Sequence, residues 1–360
     1  MLKVAIVGCG KIADGHIEEI QKLDNARLVA ACDLEGLMAE QIAVRYAIPA
    51  HYDDFATLLE KETPDVVHVT TPPQSHLPLA KMALDGGCHV YVEKPFTLDR
   101  TEALELLEYA RSKGKKVTVG HSFEFDPVWD AARKVVVAGG IGDVVHVESF
   151  LGYNLSGPFG AVLMGDPGHW VHSLPGRLFH NNLNHVLHKI LEYVDADAPR
   201  VAALALSRRE ETFGDVRDDL AEELRVILAG NKITAYATFS SHIKPVRHTA
   251  RILGTEGSMS LDFGGRTLTY DQAEKLPSAI GRLMPAFAES MGFMREGFKN
   301  VWRFMKSDYQ FFAGMKALFE RFYRCIEDDS DPPIAYDEII RITAVMDEIF
   351  AQVDAQGGRK

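Results

Sequence analysis

Glu93-Lys94-Pro95 is the stretch of this sequence whose residue types and order are best suited to chemistry. It follows Val90-Tyr91-Val92, which suits a buried strand, and Gly86-Gly87 in front ends whatever helix comes before. Pro95 cannot continue a central strand, so the strand is expected to stop on the Glu93-Lys94 pair. An ammonium group at such a strand end can donate to a substrate oxygen and stabilise negative charge developing there. On an open surface the same pair would be an ordinary solvated ion pair. A second cluster comprises His169, Trp170, His172, His180, His185 and His188. A helix over residues 181–194 would place Asn181, His185, His188 and Glu192 at i, i+4, i+7 and i+11, on one face. Imidazoles titrate near neutrality, so such a face suits proton transfer or substrate contact. A zinc site built from His185 and His188 with His180 or His169, and plain packing of satisfied histidines, are the competing readings.

These groups need elements to hold them. Val4-Ala5-Ile6-Val7 is a continuous apolar run, as expected of a strand buried on both faces. It feeds Gly8-Cys9-Gly10-Lys11-Ile12-Ala13, a G-x-G-x-x-A turn. The first glycine allows the tight bend, the second lets a pyrophosphate approach the backbone, and Ala13 lets the next helix pack closely. That helix, over residues 12–23, would aim its N-terminal amides at phosphates. A second apolar run, Leu28-Val29-Ala30-Ala31-Cys32, ends on Asp33, the acid expected to bind the adenosine ribose hydroxyls. Leu34 and Glu35 follow, with no arginine nearby, so NAD is expected in preference to NADP. Helices at 39–47, 55–61, 76–84 and 98–113 alternate with strands at 66–70, 90–94 and 116–120. This alternation predicts a doubly wound parallel sheet with right-handed crossovers. The first domain is expected to span residues 1–122.

Gly8-Cys9-Gly10-Lys11-Ile12-Ala13 with His16, Thr71-Pro72-Pro73 with His76, Glu93-Lys94-Pro95 and Val119-Gly120-His121 occur in this order. Together they resemble the glucose–fructose oxidoreductase / inositol dehydrogenase / MocA (Gfo/Idh/MocA) family, most clearly over residues 3–127. The resemblance implies a Rossmann domain followed by an α+β domain with a large, mostly antiparallel open sheet. It implies NAD(P)-linked oxidation or reduction of a carbinol on a small carbohydrate-like substrate. It places the cofactor against Gly8, Gly10, Lys11, Ile12, Asp33, Thr71, Pro72, His76, Glu93, Lys94 and His121. Lys94 would lie beside the nicotinamide and the reacting hydroxyl. His185 matches a family acid/base histidine that has an aspartate four residues earlier, where this chain has Asn181. Glu124 stands where the family often has an arginine, so Glu124 and Phe125, with His169, Trp170 and His188, are expected near the substrate. Relatives that retain NAD for elimination or glycoside cleavage, and a non-catalytic NAD sensor, are the alternative functions.

After Pro127 the pattern changes. A helix is expected over 129–138, and strands over 144–151, 202–207, 220–228, 233–240, 249–253, 258–261 and 267–270, with a tight hairpin at Ala229-Gly230-Asn231-Lys232. This substrate and oligomerisation domain is expected to span 123–335. Residues 336–360 should form a last helix near the first domain, with a polar tail from 356 to 360. A homodimer or homotetramer through the second-domain sheet is expected, as in relatives. Residues 280–310 mix Met, Phe and Trp with Arg and Lys. A helix covering a cleft or a subunit contact is preferred there over a membrane-surface helix, so membrane contact is not expected. The chain has 360 residues and a formal net charge of -12, which opposes a nucleic-acid partner. Cys9, Cys32, Cys88 and Cys325 have no paired spacing, so no cysteine metal site or disulfide framework is expected, and no metal is assigned. With no signal peptide or membrane-crossing run read at Met1-Leu2-Lys3, a cytoplasmic setting is the default.

Overall fold

The computed structural model describes residues 1–166, 168–208, 212–213, 216–217, 221–272, 278–306 and 313–357. They form two compact units: Met1–Phe125 with Phe312–Ala344, and Asp126–Phe311 with Val345–Lys360.

In the first unit, strands and helices alternate as β1 (Leu2–Val7), α1 (Lys11–Ile20), β2 (Ala26–Cys32), α2 (Gly36–Tyr46), β3 (Ala50–Tyr52), α3 (Phe55–Glu62), β4 (Val66–Val69), α4 (His76–Asp85), β5 (His89–Val92), α5 (Arg100–Ser112) and β6 (Val117–Val119). The sheet is ordered β3-β2-β1-β4-β5-β6, and every pair in it is parallel. Strands covered on both faces must be apolar throughout. Accordingly, Val4, Ala5, Ile6, Val66, Val67, Val90 and Val92 are fully buried. Helix starts follow their capping residues. Asp54 accepts from Thr57 N at 2.8 Å, and Asp99 accepts from Glu102 N at 2.9 Å. α4 ends at Gly86, and Gly87 takes φ +79°, so the glycine pair breaks the helix as read from the sequence.

The helix Ala313–Glu327 also belongs to this unit. This departs from the expected second domain of 123–335. The reason is packing: its apolar stripe of Leu318, Phe319, Phe322 and Tyr323 is fully buried in the core shared with Tyr91, Val92 and Val117. The last helix, Tyr336–Gly357, divides between the units at Ala344.

The second unit begins with α6 (Pro127–Val137), β7 (Val144–Gly152), α7 (Pro158–Gly165), α8 (Arg177–Asn182), α9 (Asn184–Leu191) and β8 (Arg200–Leu206). It continues with β9 (Thr212–Phe213), β10 (Val216–Arg217), β11 (Glu223–Ala229), β12 (Thr234–Ser240), β13 (His248–Gly254), β14 (Gly257–Asp262), β15 (Thr267–Gln272) and α10 (Ser278–Met305). Its seven-stranded sheet runs β15-β14-β13-β7-β12-β11-β8 and is antiparallel except where β7 meets β12. The hairpin at 229–232 closes with Gly230 N donating to Ile233 O at 2.9 Å. Leu224, Val226, Ala235, Ala237, Phe239 and Ile252 fill the covered face, whereas Leu204, Leu206, Ile227 and Tyr236 alternate onto the outer one.

The single helix expected over 181–194 is two helices meeting at Leu183. Asn182 Nδ2 donates to Leu178 O at 2.8 Å, and Val186 N turns to Leu183 O, three residues back, at 3.1 Å. A side-chain amide competing for a helical carbonyl tightens the turn there. Residue 220 of the expected strand, residues 307–310 of the expected helix, and the tail 358–360 lie outside the described residues.

Candidate functional site

β1 hydrogen-bonds to β2 on one side and β4 on the other, so the strand order reverses at β1. A ligand of an open parallel sheet binds outside the carboxyl ends at this reversal. Gly8 lies there at φ +98°, a conformation that L side chains rarely adopt. A Cβ on Gly8 would come within 2.7 Å of Thr71 Cγ2 and 2.8 Å of the Thr70 carbonyl carbon, whereas one on Gly10 would meet nothing within 4 Å. Gly10 caps α1 with no side-chain hydrogen bond, and the helix begins at Lys11 and Ile12. Both carboxylate oxygens of Asp33 are oriented by backbone: Oδ2 accepts from Cys9 N at 2.7 Å and Oδ1 from Glu35 N at 3.0 Å. A tight glycine bend, open space at the second glycine and an acid fixed at the end of β2 fit a dinucleotide. Burial, reinforced by Asp33, pushes the Cys9 thiol up to about 12, so it is no nucleophile.

Thr71 and Pro72 follow β4. Ser75 Oγ donates to Thr71 Oγ1 at 2.7 Å. His76 is fully buried; its Nε2 lies 2.8 Å from Thr71 O and its Nδ1 3.1 Å from Phe96 O. The ring thus ties the turn after β4 to the turn after β5. Both ring nitrogens of His76, a residue expected at the cofactor, are engaged with backbone.

Glu93 and Lys94 stand directly beyond β5, as read from the sequence, and the Lys94–Pro95 bond is cis. The Glu93 carboxylate is buried. One oxygen lies 2.9 Å from His16 Nε2, and the other accepts from Lys94 N at 3.0 Å. Burial alone would raise its pKa, but the His16 hydrogen bond and the nearby charges hold it below the ordinary value. Lys94 is half-buried. Desolvation lowers its pKa, and Glu93 pulls it partly back.

Behind Glu93 runs a buried chain. His16 Nδ1 lies 2.9 Å from His68 Nδ1, and His68 Nε2 lies 2.8 Å from the Tyr323 hydroxyl. The ionised Glu93 only accepts, so His16 Nε2 carries hydrogen; His16 Nδ1, His68 and the Tyr323 hydroxyl continue the chain, with donor and acceptor at each link set by the tautomers. Tyr91 stacks on His68 at 4.6 Å with 7° between the planes, and Phe319 meets His68 edge-on at 4.8 Å. Gly120 completes the seat: a Cβ there would approach Glu93 Oε1 to 2.7 Å. His121 is buried beside it.

Glu124 and Phe125, expected near the substrate, are both buried in the 3-10 turn Ser122–Phe125. Phe125 is part of the first unit's core, with the Arg321 guanidinium 4.9 Å above its ring.

In the second unit, Asn181 is buried on α8, whereas His185, half-buried, and His188, buried, lie on α9. Glu192 leaves the expected polar stripe. It accepts from Trp129 Nε1 at 2.8 Å and pairs with Arg133 at 2.7 Å. His180 packs on Phe350 at 5.0 Å. The His169 and Trp170 rings lie 5.3 Å apart, tilted by 31°, and His169 Nδ1 accepts from Val171 N at 3.3 Å. The sequence reading missed Lys189. It is fully buried, hydrogen-bonds the His185 carbonyl, and its ammonium lies 3.1 Å from His248 Nε2 and 4.7 Å from the centre of Phe263. The available signal was a cation inside the apolar run Val186-Leu187…Ile190-Leu191. Likewise His68, inside Val66-Val67…Val69, was the signal for the buried chain. The described residues contain no group of three or more His, Cys, Asp or Glu side chains arranged to hold a metal ion.

Burial lowers the pKa of His68 and His248, and holds that of His89 at about 4. Each is neutral when folded but protonates near about 6.5 when unfolded. The unfolded chain therefore binds more protons below that pH, and stability falls as pH drops from there toward 4, by up to about 1.4 kcal/mol per pH unit for each histidine. Thermal unfolding should show a clearly lower Tm at pH 5 than at pH 7.5. Equal Tm values would show that these rings are not buried as neutral species.

Residues 2–121 match the family described as "Oxidoreductase family, NAD-binding Rossmann fold". Among curated proteins, the chain is 33% identical over 144 residues to D-glucoside 3-dehydrogenase of Escherichia coli (strain K12), covering 40% of this chain and 41% of that protein. It is 28% identical over 150 residues to inositol 2-dehydrogenase of Salmonella typhimurium (strain LT2), covering 41% and 45%. The matches thus span less than half the length of these relatives. Among solved structures, UDP-N-acetylglucosamine 3-dehydrogenase from Acidithiobacillus ferrooxidans superposes with TM-score 0.73 at 20% identity, over 98% of both chains. The WlbA dehydrogenase from Bordetella pertussis, solved with NADH and UDP-GlcNAcA, superposes with TM-score 0.73 at 17% identity, over 99% and 96%. At these identities the structural likeness concerns the fold.

Proposed function

Residues 2–121 belong to the Gfo/Idh/MocA oxidoreductases, and from that premise we propose that the chain transfers hydride between NAD(H) and a secondary alcohol of a sugar, polyol or sugar derivative. The observation that carries this reading is the position of Lys94: an ammonium at the carboxyl end of β5, its backbone pinned by a buried glutamate. Gly8, Gly10 and the first amides of α1 would hold the diphosphate, and Asp33 the ribose. NAD(H), when bound, supplies or accepts the hydride. Lys94 donates a hydrogen bond to the reacting oxygen and stabilises its developing charge. His185 takes or returns the hydroxyl proton, and Asn181, with no charge of its own, orients the histidine. His169, Trp170, His188 and Glu124 are assigned to the substrate side. The names of the curated relatives, a glucoside and an inositol dehydrogenase, support a carbohydrate-like substrate. The outer sheet face bearing Leu204, Leu206, Ile227 and Tyr236 is assigned to pairing with a second copy.

A panel of sugars, inositols and nucleotide sugars, assayed for NADH formation, tests the reading. Tight NAD binding with no NADH from any of them would favour the sensor instead. Asp33 also predicts cofactor choice, because its carboxylate repels a 2′-phosphate. The double substitution Asp33→Ser with Leu34→Arg should shift the NAD/NADP preference toward NADP by at least about tenfold, a change of about 1.4 kcal/mol. An unchanged ratio of dissociation constants would remove Asp33 from the ribose site.

A further inference from the structure

α10 is 28 residues long, about 42 Å at 1.5 Å per residue. It touches its own unit with little more than a narrow strip. Pro285, Gly292, Asn300 and Arg303 are half-buried and Glu296 is buried, while nearly every other described side chain on it is exposed. The strip is mostly small or polar: Gly292 lies against Thr269, and Asn300 Nδ2 donates to Gly265 O at 2.6 Å. Met284, Phe287, Met291, Met294, Phe298, Val301 and Met305 recur at alternating spacings of three and four. That is an unbroken seven-residue repeat, and at 3.6 residues per turn it lies on the side of the helix away from the strip. From Met284 onward these side chains are open to solvent, Phe287 at 59%, Met291 at 69% and Phe298 at 70%.

We propose that this seam is the interface for α10 of a second copy of the chain, packed antiparallel. A seven-residue apolar repeat is what one helix presents to another, since each seam side chain fits a hole between four residues of the facing helix. With Phe287, Phe298 and Trp302 (58% exposed), one copy turns on the order of 350 Å² of aromatic surface outward. The four methionines and Val301 add to this. Even with half of the seam covered, two copies reach on the order of 1,000 Å², the size of a small specific interface.

Charge chooses the direction. Arg295, Lys299, Arg303 and Lys306 all lie in the second half of the helix and its end, whereas the first half from Met284 carries only Glu289. Parallel packing would stack cations on cations, and antiparallel packing lays each cationic half beside the other copy's first half, where Arg282 and Glu289 leave no net charge. Centred between Gly292 and Phe293, the antiparallel pair forms layers of Met284 with Val301, Phe287 with Phe298, and Met291 with Met294. A bilayer surface would require no seven-residue repeat, and the formal charge of -12 opposes an anionic one.

The test uses the full chain in sedimentation over a concentration series, for the wild type and for Met291→Glu with Phe298→Glu. Both positions are exposed, so circular dichroism should be unchanged. The variant is expected to lose one level of assembly, halving the mass or weakening association by at least about 30-fold. Single variants Phe287→Cys and Phe298→Cys should form a disulfide-linked dimer when mixed but not separately, since all four native cysteines are buried. Unchanged association of the glutamate variant would overturn the proposal. So would wild type that pellets with phosphatidylcholine–phosphatidylglycerol vesicles when the variant does not, or cross-linking of each cysteine variant with itself.

Discussion

Lys94→Ala is expected to lower turnover by about 10²–10³-fold while NADH binds with nearly wild-type affinity. The rate loss follows from removing one positioned donor aimed at a developing oxyanion, a change that typically brings such a drop in kcat. The retained affinity follows from the geometry. The backbone at residue 94 is held by the Glu93 carboxylate, and Glu93 by His16, while the glycine turn and Asp33 lie on other strands. Truncating the side chain beyond Cβ removes none of these contacts. Lys94→Arg should recover only part of the rate, because a planar guanidinium cannot occupy the point position of an ammonium. The measurements are single-turnover hydride transfer and NADH titration. Turnover of Lys94→Ala near wild type would end Lys94's assignment to the reacting oxygen, whatever the substrate.

The next largest effect is on stability. His16→Leu should destabilise the first unit by about 2–4 kcal/mol, because it leaves the Glu93 carboxylate buried without its imidazole donor. It also deprives His68 Nδ1 of its partner in a site closed by Tyr91 and Phe319. Tyr323→Phe removes only the last hydroxyl of the chain and should cost about 1 kcal/mol. The two changes act on one chain of hydrogen bonds, so the double variant should lose less than the sum, with a coupling of at least about 0.5 kcal/mol. Urea unfolding of the four proteins measures the cycle. Additivity would mean that the chain does not act as a unit.

Much of the first unit was legible because its determinants are local. The glycine turn, the acid ending β2 and the proline after Lys94 each impose a backbone outcome within a few residues. The strand order then follows from alternation. What could not be read depends on distant partners. Nothing near His68 announces Tyr323, 255 residues later, and nothing in Ala313–Glu327 says which unit its aromatic stripe will enter. The burial of Glu124 and Phe125 was not legible because a short 3-10 turn has no periodicity to reveal its inner side. On the second unit, the break at Leu183 came from a single asparagine side chain competing for Leu178 O. The burial of Lys189 was not legible because a lone lysine in an apolar run ordinarily carries its ammonium out to water.

The helix Ala313–Glu327 closes over Tyr91 and His68 although the chain has traversed the second unit before reaching it. The nucleotide-binding part is therefore split in the gene. An excised fragment stopping at Phe125 would leave imidazole and phenol groups wet where they are now dry, and would not be a fair minimal protein for titrating cofactor. A faithful truncation has to splice the later helix back on.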